Sequence, residues 1–364
     1  MHSRHSKRRR TGGSETLQDL VPSLPAAPLT SPLFTVFPAE IRNRIYAFAL
    51  ESEDVSTESS PRSLYKQNEF YYRPGYKQPK RIQTALLQTC QQIYAEASLL
   101  PPAVNEHTFW FYRAPPHVND ASNPMEYFRK MTPKQQAQVQ HLHLFTQQFF
   151  LEDNVWSHIW HGLKIGDDGR RMRGECRIAP KKLTITLRHT DWWYWENNDP
   201  LGIDPFQTGR TRAAQMGRAV SSTALPRAWG NQFISIPCLN ELVIEFETVM
   251  RKRDQLDDII QRALQWKFPL QPDNGLHLVA DPTSISAYTW VGAKEAALKM
   301  QRPAMPRPVH PVVGFEPQPV QTEAPANPTL KPFDPSASDS SELNPDAEQF
   351  YVVFLTWKKH QDQR

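Results

Sequence analysis

The sequence Phe37-Pro38-Ala39-Glu40-Ile41-Arg42-Asn43-Arg44-Ile45-Tyr46 predicts an amphipathic helix, over residues 38–50, that begins at a proline. Proline at the first helical position gives up no intrahelical hydrogen bond, and its φ angle already suits a helix. Ile41, Ile45 and Phe48 follow Phe37 at helical spacing and form one apolar stripe. Such a stripe usually faces the core of its own domain, but it also suits a partner protein, and both interpretations stay open.

Two later segments complete a resemblance to a known family. Residues 85–97 contain Leu87-Gln88-Thr89-Cys90, and the run Thr108-Phe109-Trp110-Phe111-Tyr112 has the composition of a strand. With the first helix, these segments resemble the F-box-like domain of a family of fungal proteins. In an F-box, a Leu-Pro-x-Glu-Ile type of helix is followed by a helix that carries a Leu-x-x-Cys pattern.

The resemblance implies a protein partner. F-box helices dock on the adaptor Skp1 of cullin ubiquitin ligases, and the rest of an F-box protein holds a client. By position, Pro38, Ile41 and Ile45 correspond to the docking residues, with Leu87 and Cys90 behind them. The implied function is therefore that of a substrate adaptor.

Two departures from the F-box pattern keep an alternative open. Phe37 stands where the motif has leucine, and residues 51–84 form an insertion between the two helices. The alternative is a structural or regulatory scaffold in which the F-box-like helices are buried as core. Exposure of Ile41 and Ile45 separates the two, because docking requires that they face solvent.

The segment Asp191-Trp192-Trp193-Tyr194-Trp195-Glu196 is the densest aromatic stretch, and it is similar to a segment of the same family. Strand alternation would place Trp193 and Trp195 on one face and Trp192 and Tyr194 on the other. Trp193 and Trp195 are therefore candidates for aromatic recognition, although core packing is the ordinary role of such residues.

The middle of the chain predicts alternating strands and helices. Residues 139–144, 183–187 and 239–246 have strand patterns, with Leu142 and Leu144 pointing inward, and residues 256–264 have a helical pattern. The strands do not recur at a fixed short period, so we expect an irregular α/β domain that is a degenerate relative of leucine-rich repeats. The predicted fold class is α+β, with an F-box-like helical module followed by this domain.

Composition divides the chain further. Five aromatic residues at positions 65, 70, 71, 72 and 76 predict a flap over the two helices, and residues 349–357 predict a strand that must join a sheet. The predicted divisions are a basic and Pro-rich disordered arm (1–31), the F-box-like module with its inserted loop 51–84 (32–112), the irregular α/β domain (113–300), a disordered Pro-rich excursion (301–345) and a returning C-terminal strand (346–358).

The charge of the chain is concentrated at its start. The net charge is +4, and the first ten residues alone carry Arg4 and the cluster Lys7, Arg8, Arg9 and Arg10, so the remainder is close to neutral. The cluster predicts a nuclear import signal and a nuclear or nucleocytoplasmic location, and nucleic-acid binding is expected only of this arm. No apolar run is long enough to cross a membrane.

Residues that suggest chemistry are few. His141 and His143 lie on one face of a strand, and His158 and His161 follow at helical spacing, which suits a metal; the same histidines also suit the solvent face of that strand. Cys176 has basic neighbours but no histidine positioned as its base. Nucleotide-binding, nucleophile-elbow and zinc-protease motifs are absent from the sequence, so we expect no enzyme, no cofactor and no metal.

Overall fold

The computed structural model describes twelve stretches of the chain. They comprise residues 31–54, 65, 69–115, 124–152, 163–165, 171–173, 178–207, 228–236, 238–271, 274–294, 329–335 and 347–361. The basic cluster 7–10, His158, His161 and Cys176 lie outside the described residues.

Helices are short, and strands dominate the second half of the chain. The α-helices are α1 (Pro32–Thr35), α2 (Ala39–Ala49), α3 (Gln91–Ala97), α4 (Leu100–Val104), α5 (Pro124–Arg129), α6 (Pro133–Gln136), α7 (Gln148–Glu152) and α8 (Arg253–Ala263). The strands are β1 (Ser52–Asp54), β2 (Lys80–Ile82), β3 (Glu106–Trp110), β4 (His141–Phe145), β5 (Leu163–Ile165), β6 (Arg171–Arg173), β7 (Lys182–Leu187), β8 (Glu241–Val249), β9 (Lys267–Gln271), β10 (Leu276–Ala293), β11 (Lys331–Pro332) and β12 (Ala347–Gln361). Within the described stretches, no helix has the length and apolar character needed to span a bilayer.

One large mixed sheet organises the protein. Its strand order is β11-β10-β12-β8-β7-β4-β3, and β9 also pairs with β10. Strands β3, β4, β7 and β8 are parallel and neighbour one another in chain order, whereas β12, β10, β9 and β11 add antiparallel strands. Helices and this sheet together make an α+β fold, as the sequence predicts.

The register of the sheet aligns apolar residues on one face. Leu142 of β4 lies opposite Leu183 of β7, which lies opposite Leu242 of β8, and Leu242 lies opposite Trp357 of β12. All four are fully buried. The amphipathic helix α8 packs on the same face through Leu256, Ile259, Ile260 and Ala263, so this face is the main core.

The C-terminal strand lies inside the sheet. β12 is antiparallel to β8 on one side and to β10 on the other, which confirms that the C-terminal segment joins a sheet. β10 and β12 are therefore neighbours, and the Pro-rich excursion connects two adjacent strands. Within the segment 301–345, which the sequence predicts to be disordered, Lys331–Pro332 form β11 and pair with Tyr288 and Thr289 of β10.

The N-terminal helices have a small core of their own. Tyr46 and Leu50 of α2 pack against Cys90, Ile93 and Ala97. The helix predicted over 38–50 is confirmed as α2, and the segment 85–97 divides into a 3₁₀ helix over Thr84–Gln88 and α3. The module boundary at residue 112 needs correction, because β3 is the edge strand of the large sheet.

The sequence predicts that the aromatic flap covers the two helices, but the structure places it elsewhere. Its residues 69–76 pack on the second face of the sheet, where Tyr76 contacts Trp110 and Phe145 edge to face. Electrostatic as well as apolar contacts hold the flap on this face, because Arg73 in the same flap lies beside two carboxylates of β8.

A substitution at Trp357 tests the position of β12. Trp357 is fully buried, stacks on Trp266 and donates its indole N–H to the Trp266 carbonyl at 3.2 Å. We expect Trp357→Ala to lower the free energy of unfolding by about 3–5 kcal/mol, because a large cavity forms in the core. Chemical denaturation measures this. Val291→Ala, at a side chain that is 44% exposed on β10, should change it by less than about 0.5 kcal/mol. Equal small effects would contradict the central position of β12.

Candidate partner-binding surface

Helix α2 exposes its apolar stripe. We call Val36, Phe37, Ile41, Ile45 and Phe48 the α2 stripe. Ile41 and Ile45 are 38% and 39% exposed, and Phe48 is 79% exposed. The buried side of the helix carries Tyr46 and Leu50 instead. The larger part of the helix's aliphatic surface therefore faces away from the core of its own module.

A polar clamp sets this orientation. Arg42 donates from Nε and NH2 to the two carboxylate oxygens of Glu96 on α3, at 3.0 and 2.8 Å. The Tyr46 hydroxyl donates to the same carboxylate at 3.0 Å, and Gln92 donates to it from one turn before. A bidentate arginine–carboxylate pair has a fixed geometry. It holds the Arg42 and Tyr46 side of α2 against α3, which turns Ile41 and Ile45 outward.

The ionisation of the clamp follows from its contacts. The hydrogen bond from Arg42 lowers the pKa of Glu96, so the carboxylate is charged at neutral pH. Burial, and then the hydrogen bond to Glu96, raise the pKa of Tyr46 to about 12, so its hydroxyl remains a donor. Both groups are thus in the protonation state that the clamp needs.

The five residues predicted to bind a partner lie in two layers. Pro38 is exposed at the N-cap of α2, with the helix beginning at Ala39, so it precedes the first helical position that the sequence predicts for it. Ile41 and Ile45 share the outer surface. Cys90 is buried in the module core and Leu87 packs against that core half-buried. Cys90 supports the surface from behind and does not itself reach a partner.

The aromatic segment differs from its prediction. Residues 191–196 do not form a strand: Tyr194 has a left-handed backbone, with φ of 54°, ahead of a 3₁₀ turn over Trp195–Asn197. This turn buries Trp192 and Trp195 and leaves Trp193 and Tyr194 half-buried. Trp193 and Trp195 therefore do not share a face, and Trp195 belongs to the core.

A second group of polar residues lies under the flap. We call the sheet face that carries Glu106, His143, Thr186, Glu245 and Glu247 the polar face. Thr186 donates its hydroxyl proton to Glu245 at 2.7 Å, so its oxygen accepts from Nε2 of His143, also at 2.7 Å. The other ring nitrogen, Nδ1, faces Glu106 at 2.9 Å. These bonds link three parallel strands, β3, β4 and β7, to β8.

Charge on the polar face is balanced by the flap. NH2 of Arg73 lies 3.2 Å from Glu245 and 3.7 Å from Glu247. Burial raises the pKa of Glu247, but the charge of Arg73 outweighs burial and the pKa is lowered to about 2. Burial also raises the pKa of Glu106, and the hydrogen bond and charge of His143 outweigh that and leave it well below its usual value.

The sequence reasoning missed Arg73, Tyr76 and Glu245 as members of one network. A signal was present, since Glu241, Glu245 and Glu247 occupy alternate positions of a strand otherwise rich in apolar residues. Alternation of this kind marks a polar face. It does not reveal which segment supplies the opposite charge, because that segment is distant in sequence.

The histidines proposed as metal ligands are hydrogen-bonded to the protein. His141 Nε2 lies 2.9 Å from the Thr184 hydroxyl, and burial lowers the pKa of His141 to about 4. His143 is 2% exposed beneath the flap, so it is not on a solvent face. In the twelve described stretches, no three potential ligands are grouped so that they could hold a metal ion.

Comparisons with protein-family models, curated proteins and solved structures found no match for this chain.

Glu96→Gln tests the clamp. It keeps the shape of the side chain but removes the charge that accepts from Arg42 and Tyr46. We expect the free energy of unfolding to fall by about 1.5–3 kcal/mol, the range for hydrogen bonds to a charged group. Urea denaturation measures it, and Glu51→Gln at an exposed site should change it by less than about 0.5 kcal/mol. An unchanged midpoint for Glu96→Gln would show that the clamp does not hold α2.

Acid pH tests the Arg73–Glu247 contact. The folded pKa of Glu247, about 2, lies below its ordinary value of 4.5. Its contribution to stability is therefore present above pH 4.5, where it is about 3 kcal/mol, and is lost as the pH falls towards 2. We expect Glu247→Gln to be less stable than wild type at pH 7 and the difference to shrink in this window. Denaturation at several pH values measures it, and a constant difference would contradict the pairing.

Proposed function

We propose that this chain is a non-enzymatic interaction protein whose N-terminal helices dock on an adaptor of the Skp1 type. The remainder of the chain would hold a client and bring it to a ubiquitin ligase. Such a protein performs no chemistry of its own. It acts by raising the effective concentration of the client near the ligase.

The α2 stripe is the observation that carries this proposal. Phe37, Ile41, Ile45 and Phe48 recur at helical spacing and are exposed, as is the adjacent Val36. On the opposite side of the same helix, Arg42 and the Tyr46 hydroxyl contact Glu96 of α3. An exposed apolar patch is unfavourable in water and typically marks an interaction surface. A helix that offers residues at i, i+4 and i+7 suits a partner with an apolar groove.

The insertion supports the proposal by its position. The described part of residues 51–84 pairs β1 with β2 and then places Arg73 and Tyr76 on the polar face of the sheet. It packs there and leaves Ile41 and Ile45 exposed. The described part of the insertion therefore leaves these two side chains of the α2 stripe open to a partner.

The sheet domain is the proposed client-holding part. Its parallel strands β3, β4, β7 and β8 follow one another in chain order, which is the order found in a leucine-rich array. We propose it as a degenerate form of such an array, closed by the antiparallel strand β12. The import cluster Lys7–Arg10 is the basis for proposing a nuclear or nucleocytoplasmic location.

The scaffold alternative requires the α2 stripe to be core. It is favoured by the burial of Cys90 and the partial burial of Leu87. At Ile41 and Ile45, the exposure of more than a third of each side chain favours docking instead.

Co-purification tests the docking. We expect the tagged full chain to recover the Skp1 and cullin of its host, and Ile41→Asp and Ile45→Asp to lose both partners. A carboxylate on the stripe would have to be desolvated in the complex, so recovery should fall by about tenfold or more.

The control is Ile234→Asp, which makes the same change at a side chain that is 44% exposed on the sheet domain. It should recover the partners as wild type does, and circular dichroism should show all variants folded. Recovery of neither partner by wild type would leave the scaffold alternative. Equal loss in Ile234→Asp would show that the α2 stripe is not the docking surface.

A further inference from the structure

The polar face of the sheet carries more negative charge than its own strands neutralise. Glu106, Glu245 and Glu247 all project from it, and the residues of β3, β4, β7 and β8 that contact them supply only histidine and hydroxyl groups. Glu247 is 2% exposed. Buried carboxylates need a counter-ion, so this face requires a cation from elsewhere in the chain or from another molecule.

In this structure the cation comes from a tight turn. Arg73-Pro74-Gly75-Tyr76 closes with a hydrogen bond from the Tyr76 N–H to the Arg73 carbonyl at 3.0 Å. Gly75 has a φ of 80°, and proline precedes it, which is the composition of a type II turn. The turn is specified by its own proline and glycine. The same turn could therefore form in another protein that has proline followed by glycine at the two central positions.

The two ends of the turn make the contacts. Arg73 reaches Glu245 and Glu247 and lies over the Phe145 ring at 5.3 Å. Tyr76 places its hydroxyl 2.9 Å from Glu106 and 2.7 Å from His143. Its ring meets the Phe145 ring edge to face at 4.9 Å. An arginine and a tyrosine three residues apart thus contact two separate polar sites, and both also contact the Phe145 ring.

The match is incomplete. Nε and NH1 of Arg73 are buried, in a side chain that is only 4% exposed, and find no hydrogen-bond partner among the described residues. Beside Arg73 a small cleft of about 20 Å³ remains between the flap and the sheet, and its walls include Glu69, Phe70, His189 and Trp290. A segment that is tethered in cis has a high effective concentration, so only an imperfect cis contact is open to displacement.

We infer that the polar face is a recognition site for a turn that presents an arginine and a tyrosine, and that a client segment of this chemistry displaces the chain's own Arg73–Tyr76 turn. The inference names the client surface of the adaptor proposed above. Binding of the turn does not depend on Skp1, and only its biological role rests on that proposal.

Peptide complementation tests the inference in the full chain. The probe is a fluorescent synthetic peptide of residues 69–80, and the protein is Arg73→Ala, which leaves the face without its cation. We expect micromolar binding by anisotropy and a raised melting temperature, with binding to wild type weaker by about tenfold because its face is occupied. Peptides with alanine in place of either Arg73 or Tyr76 should also bind about tenfold more weakly.

A second variant guards against misfolding of the first. A Cβ at Gly75 would meet no atom within 4 Å, yet its φ is unsuited to alanine, so Gly75→Ala loosens the turn without removing its contacts. It should bind the peptide more tightly than wild type does. Absence of binding to both variants at about 100 µM would overturn the inference, and so would alanine peptides that bind as tightly as the unsubstituted peptide. Both variants should still recover Skp1, so a failure of adaptor docking is distinguishable.

Discussion

The pairing of β12 with β8 and β10 is the constraint on which the rest of the structure depends. It joins the parallel strands to the antiparallel ones, and it brings the C-terminal strand into the centre of the sheet. Because every buried backbone N–H and C=O needs a partner, the sides of β8 and β10 that face β12 depend on it for their hydrogen bonds. The core on one face extends across that junction, whereas on the other face Glu245 and Glu247 of β8 lie beside the apolar residues Phe354 and Val352 of β12.

The two faces are stabilised by different physics. On the core face, the burial of aligned aliphatic and aromatic side chains is favourable in free energy, and small changes in side-chain shape are tolerated. On the polar face, Glu245 and Glu247 are favourable only while Arg73 remains beside them, because an unpaired buried carboxylate is strongly unfavourable. The flap that carries Arg73 is thus required by the sheet and held by it.

In the N-terminal module, polar side chains of α2 face α3, and apolar side chains of the same helix face solvent. The Glu96 clamp uses charge to hold one side of α2 against α3, and the aliphatic residues are left outside. A helix oriented by apolar packing alone would turn Ile41 and Ile45 inward. Specific hydrogen bonds can override that preference because a bidentate ion pair admits one geometry. The surface proposed for docking is therefore a consequence of Glu96, which does not belong to it.

Sequence alone determined the elements whose residues repeat at a regular period: α2, the strands β4, β7 and β8, the inward direction of Leu142 and Leu144, and the strand character of β12. A periodic pattern is formed by residues close together in the sequence, so it can be recognised without knowledge of the fold. Tertiary structure alone decided which side of α2 faces the core, where the flap packs, and how the left-handed turn at Tyr194 separates Trp193 from Trp195. Each of these features depends on a contact between residues distant in sequence or on a strained backbone. Long-range contacts and backbone strain produce no periodic pattern in the sequence.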